Sequence, residues 1–252
     1  MKIGIIGAGQ IGQTLIRQYT RAGHTVKITN ASGAEKLKGL VSETGASAVT
    51  LTNVVTDLDV LVLSIPMIEI PKLPKELLSD ASPDTAIIDT CNYYPIRDGI
   101  IEAIENGMPE SVWVANQLQR PVIKVYNSIF AGSLIASAAP RSTSTRIALP
   151  VSGDDKRAKA VVSGLVDESG FDALDAGSLQ DSWRQQPGSP VYCTDLTLAQ
   201  LERSLKKARR EVLPERRELG LALILKQDPA LWMDWWVDCV KHNRVIYESE
   251  LA

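Results

Sequence analysis

Short apolar runs alternate with helix-like segments over the first 90 residues of this chain. Between residues 24 and 29, Val26 and Ile28 alternate with polar residues, which is typical of a strand. Residues 59–64 form an apolar run, as expected for a parallel strand buried on both faces. The pattern predicts strands at residues 1–6, 24–29, 46–50, 59–64 and 85–89, and helices at residues 10–22, 34–44 and 66–78. Strands that alternate with helices predict an α/β fold with a doubly wound parallel sheet.

The first apolar run leads directly into a glycine pattern of the form GxGxxG. Gly7 allows a tight turn, Gly9 lets the backbone approach a pyrophosphate, and Gly12 lets the following helix pack close to the strand. The free amides of the helix's first turn and the helix dipole favour an anion at this end. Because a strand precedes the glycines and a helix follows them, the sequence predicts a dinucleotide-binding βαβ unit.

The residues after the second strand indicate which dinucleotide binds. NAD-binding proteins of this type place Asp or Glu about 20 residues after the glycines, where it holds the ribose diol. This chain has Asn30, Ser32 and then Lys36 in that region, so no carboxylate stands ready to repel a 2′-phosphate. We therefore expect NADP(H) rather than NAD(H). The alternative is an ordinary helix start, with Ser32 as the N-cap and the lysine on a solvated face.

Two further segments are predicted at the carboxyl edge of the sheet, where doubly wound folds bind ligands. Ser64, Ile65 and Pro66 follow one buried strand, and the residues up to Asn92 follow the next. We expect both segments to face the ligand.

The alternation continues in the second half of the chain. Apolar runs at residues 121–127, 146–151 and 171–175, with a helix predicted at residues 154–168, suggest that the sheet continues to roughly Asp175. A polar, turn-rich segment follows.

Helix-forming and charged residues dominate from Asp195 onward. Leu198, Leu201 and Leu205 recur at helical spacing. Aromatic residues cluster near the end of the chain, which indicates a core or an interface; they are Trp232, Trp235 and Trp236. We expect helices that cover a small lobe and contribute to a homodimer. The predicted division is a dinucleotide-binding domain at residues 1–180 and a C-terminal lobe with a helical tail at residues 181–252.

Composition excludes several other classes of protein. The 252 residues are 44% hydrophobic and 23% charged, close to globular averages. A net charge of -3 gives no basic surface for nucleic acid. The three cysteines are too few and too scattered for a disulfide framework or a zinc site. No apolar run is long enough to span a bilayer. Glycines interrupt the apolar N-terminal run, which argues against a signal peptide. We expect a cytoplasmic protein with a small-molecule partner.

Few side chains suggest acid–base catalysis. His24 is predicted in a turn at the wrong end of the sheet, and His242 is predicted in the solvated tail. Lys124 and Asn127 are similar to the paired Lys and Asn of β-hydroxyacid dehydrogenases, but that pair lies four residues apart on a helix. A spacing of three on a strand sends side chains to opposite faces. We therefore expect Lys124 to be half-exposed or at the end of the strand, with Asn127 near the ligand.

Beyond the glycines, three motifs occur in order along the chain, and together they carry a family resemblance that extends to about Tyr192. They are Val122-Ile-Lys-Val-Tyr-Asn-Ser-Ile-Phe-Ala131, Ala148-Leu-Pro-Val-Ser-Gly-Asp-Asp155 and Phe171-Asp-Ala-Leu-Asp-Ala-Gly-Ser178, followed by Trp183-Arg-Gln-Gln-Pro-Gly188. With these motifs the chain resembles the NADP oxidoreductases that depend on the deazaflavin coenzyme F420, especially their bacterial branch.

The resemblance implies a Rossmann-type domain with a small C-terminal lobe and a cleft between them. It implies NADP(H) binding by Gly7, Gly9, Gln10, Ile11 and Gly12, with the 2′-phosphate near Asn30, Ser32 and Lys36. Ser64, Ile65 and Pro66 would line the path to the nicotinamide, and Asn92 would lie by its ribose. Ile129 would pack on the nicotinamide ring beside Asn127, and coenzyme F420 would accept the hydride. Such a reaction depends on proximity and orientation more than on titratable groups.

Two departures from the archaeal family pattern leave the acceptor open. That pattern has a histidine where this chain has Asn127, and a basic residue where this chain has Ala31 or Gly33. The alternatives are a reductase of a flavin, a ferric chelate or an imine, and a redox sensor that binds NADP(H) without turnover. Arg184 is a candidate for binding an anionic acceptor, or else a surface arginine beside a packed tryptophan.

Overall fold

The computed structural model describes residues 1–79, 81–226 and 235–248. Its strands are β1 (Lys2–Ile6), β2 (Thr25–Thr29), β3 (Ser47–Ala48), β4 (Val60–Leu63), β5 (Ala86–Asp89), β6 (Ile123–Lys124), β7 (Ala148–Val151) and β8 (Asp172–Asp175). The first six strands pair in parallel in the order β3-β2-β1-β4-β5-β6. This is the strand order of doubly wound dinucleotide-binding folds, so the predicted fold class is confirmed.

Helices follow most of the strands. They are α1 (Gln10–Arg21), α2 (Lys38–Thr44), α3 (Leu51–Val54), α4 (Pro95–Asp98), α5 (Glu102–Glu105), α6 (Glu110–Leu118), α7 (Ala131–Ala136), α8 (Lys156–Glu168), α9 (Leu198–Lys207), α10 (Leu213–Leu225) and α11 (Trp235–Glu248). Short 3-10 helices lie at Ala34–Leu37, Met67–Lys72, Leu179–Gln185 and Arg210–Val212. In the described residues, no helix has the length and apolar composition needed to cross a membrane.

Helices cover the sheet on both sides, which is why its central strands are apolar on both faces. Val60 and Val62 of β4 belong to the core beneath α1 and α8. Leu61 and Leu63 of the same strand belong to the core that contains Trp113 of α6. The side chains alternate between two cores, and the strand ends are fixed between them.

The segment after β4 forms less helix than the pattern predicts. The expected helix at residues 66–78 is a 3-10 helix that ends at Lys72. Pro71 and Pro74 lack amide hydrogens and disfavour the helical conformation of the residue before them. The prediction of a long helix here is wrong.

The sheet also ends earlier than predicted. The run at residues 121–127 contributes only the two residues of β6, and β7 and β8 pair with each other in a separate two-stranded parallel sheet. One antiparallel bridge, between Lys124 and Ser152, joins the two sheets. The prediction of one sheet that continues to Asp175 is therefore wrong, although its strands and the helix between them are present.

Of the C-terminal helices, α9 packs on the second sheet, α11 packs on α7, and α10 packs on α11. Leu201 and Leu205 of α9 join Ala148 of β7 in a small apolar cluster. A Cβ built on Gly132 of α7 would lie 2.3 Å from the ring of Trp236, so the absence of a side chain there lets α11 pack closely. The helical spacing of the leucines is confirmed, whereas the predicted role of Trp232 lies outside the described residues.

Tyr126 turns the chain after β6. Its φ is +62°, in the left-handed region where a side chain other than glycine costs about 1 kcal/mol. Its buried hydroxyl lies 3.1 Å from the hydroxyl of Tyr19 and 3.1 Å from that of Ser169. These contacts offset the strain. Because the strand ends before Tyr126, strand alternation does not relate Lys124 to Asn127.

We expect Tyr126→Phe to lower the free energy of unfolding by about 1–2 kcal/mol, because it leaves the buried hydroxyl of Tyr19 without this partner. Urea unfolding followed by circular dichroism measures the change. In a double-mutant cycle, Tyr19→Phe should add little to Tyr126→Phe, since the two hydroxyls share one hydrogen bond. Fully additive effects would contradict the assigned contact.

Candidate functional site

The glycine turn between β1 and α1 is shaped by close backbone contacts. Gly7 has a φ of +110°, and a Cβ built there would lie 2.1 Å from the carbonyl oxygen of Ser64. A Cβ on Gly12 would lie 2.1 Å from the carbonyl oxygen of Gly7. A Cβ on Gly9 has no heavy atom within 4 Å. Gly7 and Gly12 therefore allow the close backbone contacts of the turn, and Gly9 leaves open space in front of it.

That open space lies at the N-terminus of α1. The helix has 12 residues, starts at Gln10 and has no side-chain cap. The first amides of an α-helix have no partner within the helix, and its dipole favours negative charge there. The turn thus has the open space and the helix terminus that a pyrophosphate would need.

A cleft of about 360 Å³ opens in front of this turn at the carboxyl edge of the sheet. The sequence-predicted residues that line it come from four segments of the chain: Gly9, Gln10, Ile11, Ser64, Ile65, Pro66, Asn92, Asn127 and Ile129. The fold thus brings the glycine turn and the ends of β4, β5 and β6 together. Gly7 and Gly12 do not line the cleft; they shape the turn behind it.

The residues predicted to bind a 2′-phosphate lie beyond this cleft, after β2. Asn30 has a buried side-chain oxygen with no hydrogen-bond partner in the described part of the chain. Ser32 and Lys36 are exposed. The following 3-10 helix has Gly33 at its N-cap and no side-chain cap, so Ser32 does not cap it. The ordinary helix-start interpretation of Ser32 is therefore not what the structure shows. An orphaned amide beside two exposed polar side chains fits a polar ligand at this position.

Asn92 and Asn127 hold each other at the centre of the cleft. The amide of Asn127 donates to the side-chain oxygen of Asn92 at 3.0 Å, and the amide of Asn92 donates to the backbone oxygen of Asn127 at 2.9 Å. Asn127 also donates to the backbone oxygen of Gln185 at 2.7 Å. The two asparagines therefore fix the ends of β5 and β6 relative to each other.

Gln185 is a buried residue of this site that sequence reasoning did not single out. Its amide nitrogen lies 3.0 Å from the side-chain oxygen of Asn127 and 3.2 Å from the backbone oxygens of Lys124 and Pro150. Its side-chain oxygen accepts a 2.6 Å hydrogen bond from Ser152. One side chain therefore links both sheets to the cleft. The only sequence signal was its place within the Trp-Arg-Gln-Gln motif.

Lys124 is the last residue of β6, as one of the two alternatives predicts, but it is fully buried, so the half-exposed alternative is wrong. Its ammonium donates to the backbone oxygen of Cys91 at 2.9 Å and lies 3.8 Å from a carboxylate oxygen of Asp89. It also lies 3.5 Å from Oε2 of Glu110. The lysine does not line the cleft; it holds the segment after β5 from behind.

The two carboxylates in this cluster differ in their hydrogen bonding. Asp89 accepts hydrogen bonds from the amide of Cys91 at 2.8 Å and from the hydroxyl of Ser111 at 2.5 Å. Oε2 of Glu110 is buried and makes no hydrogen bond within the described residues. Burial raises the pKa of Glu110 from 4.5 to about 7, against the opposing attraction of Lys124. The proton of Glu110 is therefore retained near neutral pH.

Tyr94, Arg97 and Tyr192 also line the cleft and were missed. The two tyrosine hydroxyls lie 2.8 Å apart, and the Arg97 guanidinium lies 5.6 Å from the centre of the Tyr94 ring. The two tyrosines are 98 residues apart in sequence, so spacing gave no signal that they meet.

Arg184 is not part of the cleft. Its guanidinium stacks 4.3 Å from the centre of the Trp183 ring, which is the second of the two predicted interpretations. Neither histidine lines the cleft, as predicted: His24 binds Glu168 at 2.6 Å, and His242 is exposed on α11. No group of His, Cys, Asp or Glu side chains in the described residues could hold a metal ion.

We expect the stability of the protein to fall as the pH rises from about 4.5 to 7. In that range folded Glu110 retains a proton that the unfolded chain releases, so the folded state is increasingly disfavoured. Glu110→Gln should flatten this part of the curve of melting temperature against pH. Glu102→Gln, at an exposed position on the neighbouring α5, is the control and should leave the curve unchanged. An equally steep curve for the Glu110 variant would contradict the assignment.

Comparisons with known sequences support the N-terminal part of this site. Residues 2–93 match the family model described as NADP oxidoreductase, coenzyme F420-dependent. The protein YjhV of Escherichia coli (strain K12) is 35% identical over 92 residues, which are 36% of this chain and 60% of YjhV. The chain thus spans about 60% of the length of that curated relative. The family match ends at Tyr93, so Asn127, Ile129 and the later motifs lie outside it.

Solved structures share the fold over a longer stretch. The protein SMa0349 from Sinorhizobium meliloti is 25% identical, with a TM-score of 0.66 over 78% of this chain and 95% of that one. A protein from Arthrobacter sp. FB24, to which an F420-dependent NADP reductase activity is assigned by inference, is 19% identical. Its TM-score is 0.58 over 72% of this chain and 87% of that one. An imine reductase from Aspergillus terreus is 18% identical, with a TM-score of 0.51 over 71% and 56%. The chain has the Rossmann-type fold of these proteins, and its residues 2–93 match the family of NADP oxidoreductases that depend on coenzyme F420.

Proposed function

We propose that this protein is an NADP(H)-dependent oxidoreductase that transfers hydride between NADPH and a deazaflavin of the coenzyme F420 type. The observation that carries the proposal is the cleft in front of the glycine turn, because it joins an anion-binding helix terminus to the ends of three parallel strands. The family match over residues 2–93 includes the glycine turn and two of those strand ends.

The cofactor assignment rests on the fit of the described residues. Gly9 leaves room for a pyrophosphate at the N-terminus of α1, and the orphaned oxygen of Asn30 marks a polar position after β2. The oxygen and nitrogen of an asparagine amide are interchangeable by rotation, so Asn30 can donate to a phosphate or accept from a hydroxyl. Ser32 and Lys36 supply further donors, and no carboxylate occupies this segment before Glu35. NADPH, when bound, supplies the hydride.

The far half of the cleft positions the reacting rings. We assign Ile129 to the nicotinamide face because its side chain is apolar, is only 4% exposed and lines the cleft. Asn127 and Asn92 are mutually hydrogen-bonded, so we assign them the role of fixing the ribose side of the ring pocket. Apolar residues and satisfied amides leave few groups to titrate, as orientation-controlled hydride transfer requires.

A second candidate is reduction of an imine or a carbonyl group, in which the acceptor also takes up a proton. The paired hydroxyls of Tyr94 and Tyr192 favour it, since they place an O–H donor in the cleft. Burial keeps both tyrosines neutral by raising their pKa values. An imine reductase shares the fold, which is compatible with this candidate but does not distinguish it from the deazaflavin reductase.

We expect Ser32→Asp to shift the preference of the protein from NADPH toward NADH by at least about tenfold, because a carboxylate repels a 2′-phosphate and accepts from a ribose diol. Titrations of both nucleotides, followed by nicotinamide fluorescence, measure the ratio of the two dissociation constants. Ser42→Asp, at an exposed position on α2, is the matched control. A ratio that does not move would place the 2′-phosphate pocket elsewhere.

The function itself is tested with oxidised coenzyme F420 and NADPH. We expect saturable NADPH binding and a rapid loss of F420 absorbance. Gly9→Val should weaken NADPH binding at least about 100-fold in a folded protein, because its side chain fills the open space in front of α1. Gly39→Val is the control, since a Cβ there also meets no atom within 4 Å. NADPH binding without F420 turnover would reject the deazaflavin and move the test to flavins and imines; unchanged binding in Gly9→Val would reject the cleft.

A further inference from the structure

We propose that Arg97 binds an oxyanion carried by the hydride acceptor, so that this cleft selects a planar heteroaromatic acceptor with a phosphate or carboxylate group. The inference rests on the proposed function and names its substrate class. It concerns the half of the cleft that lies outside the match at residues 2–93.

Arg97 is the only charged side chain that lines the cleft in the described part of the chain. Its neighbours there are aromatic, hydroxyl, amide and aliphatic groups, and no carboxylate lines the cleft. The buried carboxylate of Asp89 and the buried carboxyl group of Glu110 do not line the cleft and lie beside Lys124. An anion that enters the cleft therefore meets one positively charged side chain and no carboxylate in the lining.

The guanidinium is held in place on one side. Its Nε and Nη2 atoms lie 3.0 and 2.8 Å from the two carboxylate oxygens of Asp98. Asp98 is itself buried and accepts hydrogen bonds from the backbone amides of Tyr94, at 3.0 Å, and Ile68, at 3.4 Å. Nη2 also donates to the backbone oxygen of Asn92 at 2.5 Å. Little rotamer freedom remains to be lost on binding.

The opposite edge of the guanidinium is free. Nη1 makes no hydrogen bond to a described residue, and 44% of the side chain is exposed. A guanidinium that is fixed through two nitrogens and open at the third is preorganised to bind an oxyanion. Asp98 reduces the net charge, but it lies on the occupied side and is buried.

The position of Arg97 assigns this anion to the acceptor. The proposed pyrophosphate site is at Gly9 and the first turn of α1, a different segment of the cleft lining. Arg97 is bonded to Asn92, which in turn is bonded to Asn127, so the guanidinium lies beside the proposed ring pocket. It stacks on Tyr94, whose hydroxyl meets Tyr192, and these aromatic groups suit a flat ring.

Riboflavin and FMN test the inference, because they share one ring system and differ by a phosphate. Their dissociation constants are measured by quenching of flavin fluorescence on the full chain loaded with NADP⁺. We expect the wild-type protein to bind FMN at least about tenfold tighter than riboflavin, and Arg97→Gln to lose that preference without a change in riboflavin affinity. Arg97→Lys should restore part of it, since it keeps the charge without the fork. Carboxymethylflavin, which carries a carboxylate in place of the phosphate chain, shows which oxyanion is preferred.

The control is Arg184→Gln, which removes an arginine that stacks on Trp183 outside the cleft. It should keep the FMN preference. Equal binding of FMN and riboflavin by the wild type, no binding of either flavin, or a preference that survives in Arg97→Gln would overturn the inference. So would an equal loss of NADPH affinity in Arg97→Gln, because Arg97 would then belong to the cofactor site. Failure of the proposed function itself is recognised separately, by the absence of NADPH binding to the wild type.

Discussion

The burial of the Lys124 ammonium constrains the whole cleft. A charge that is fully removed from water is tolerated only when it is paired and hydrogen-bonded. Its partners are the carboxylate of Asp89 at the end of β5, the carboxyl group of Glu110 at the start of α6 and the backbone oxygen of Cys91. The lysine therefore ties the ends of β5 and β6 to the start of α6, and the residues that follow the two strands line the cleft.

A second buried polar group connects these strand ends to the rest of the molecule. Gln185 reaches from the turn-rich segment after β8 to the backbone of β6 and β7 and to Asn127. In the described residues one backbone bridge joins the two sheets, and this amide adds hydrogen bonds to both of them. A buried network of this kind is strong when every member has a partner and costly when one is lost. The rigidity of the ring pocket thus depends on side chains that do not touch a ligand.

The two halves of the cleft have different chemistry. The glycine turn offers backbone amides and open space, whereas the opposite half offers aromatic rings, paired asparagines and one anchored guanidinium. The first half is built from residues close in sequence and suits a dinucleotide. The second is assembled from α4, the turn after β6 and the segment before α9, and the proposed acceptor specificity resides there. The family match is confined to residues 2–93, so it supports the proposed cofactor class and leaves the acceptor to experiment.

The sequence by itself determined the α/β class, the glycine turn and the positions of the central strands. Those features are local: β1 and β4 are apolar on both faces because helices cover both, and the glycines are needed wherever the backbone approaches itself within a few ångströms. Only the tertiary structure decided that Lys124 is buried, that the sheet ends at β6 and that Arg97 rather than Arg184 lines the cleft. A lysine carries no sequence mark of the carboxylates that surround it, and Tyr126 breaks the strand alternation through hydrogen bonds to distant residues. Long-range partners set these outcomes, and a one-dimensional pattern does not contain them.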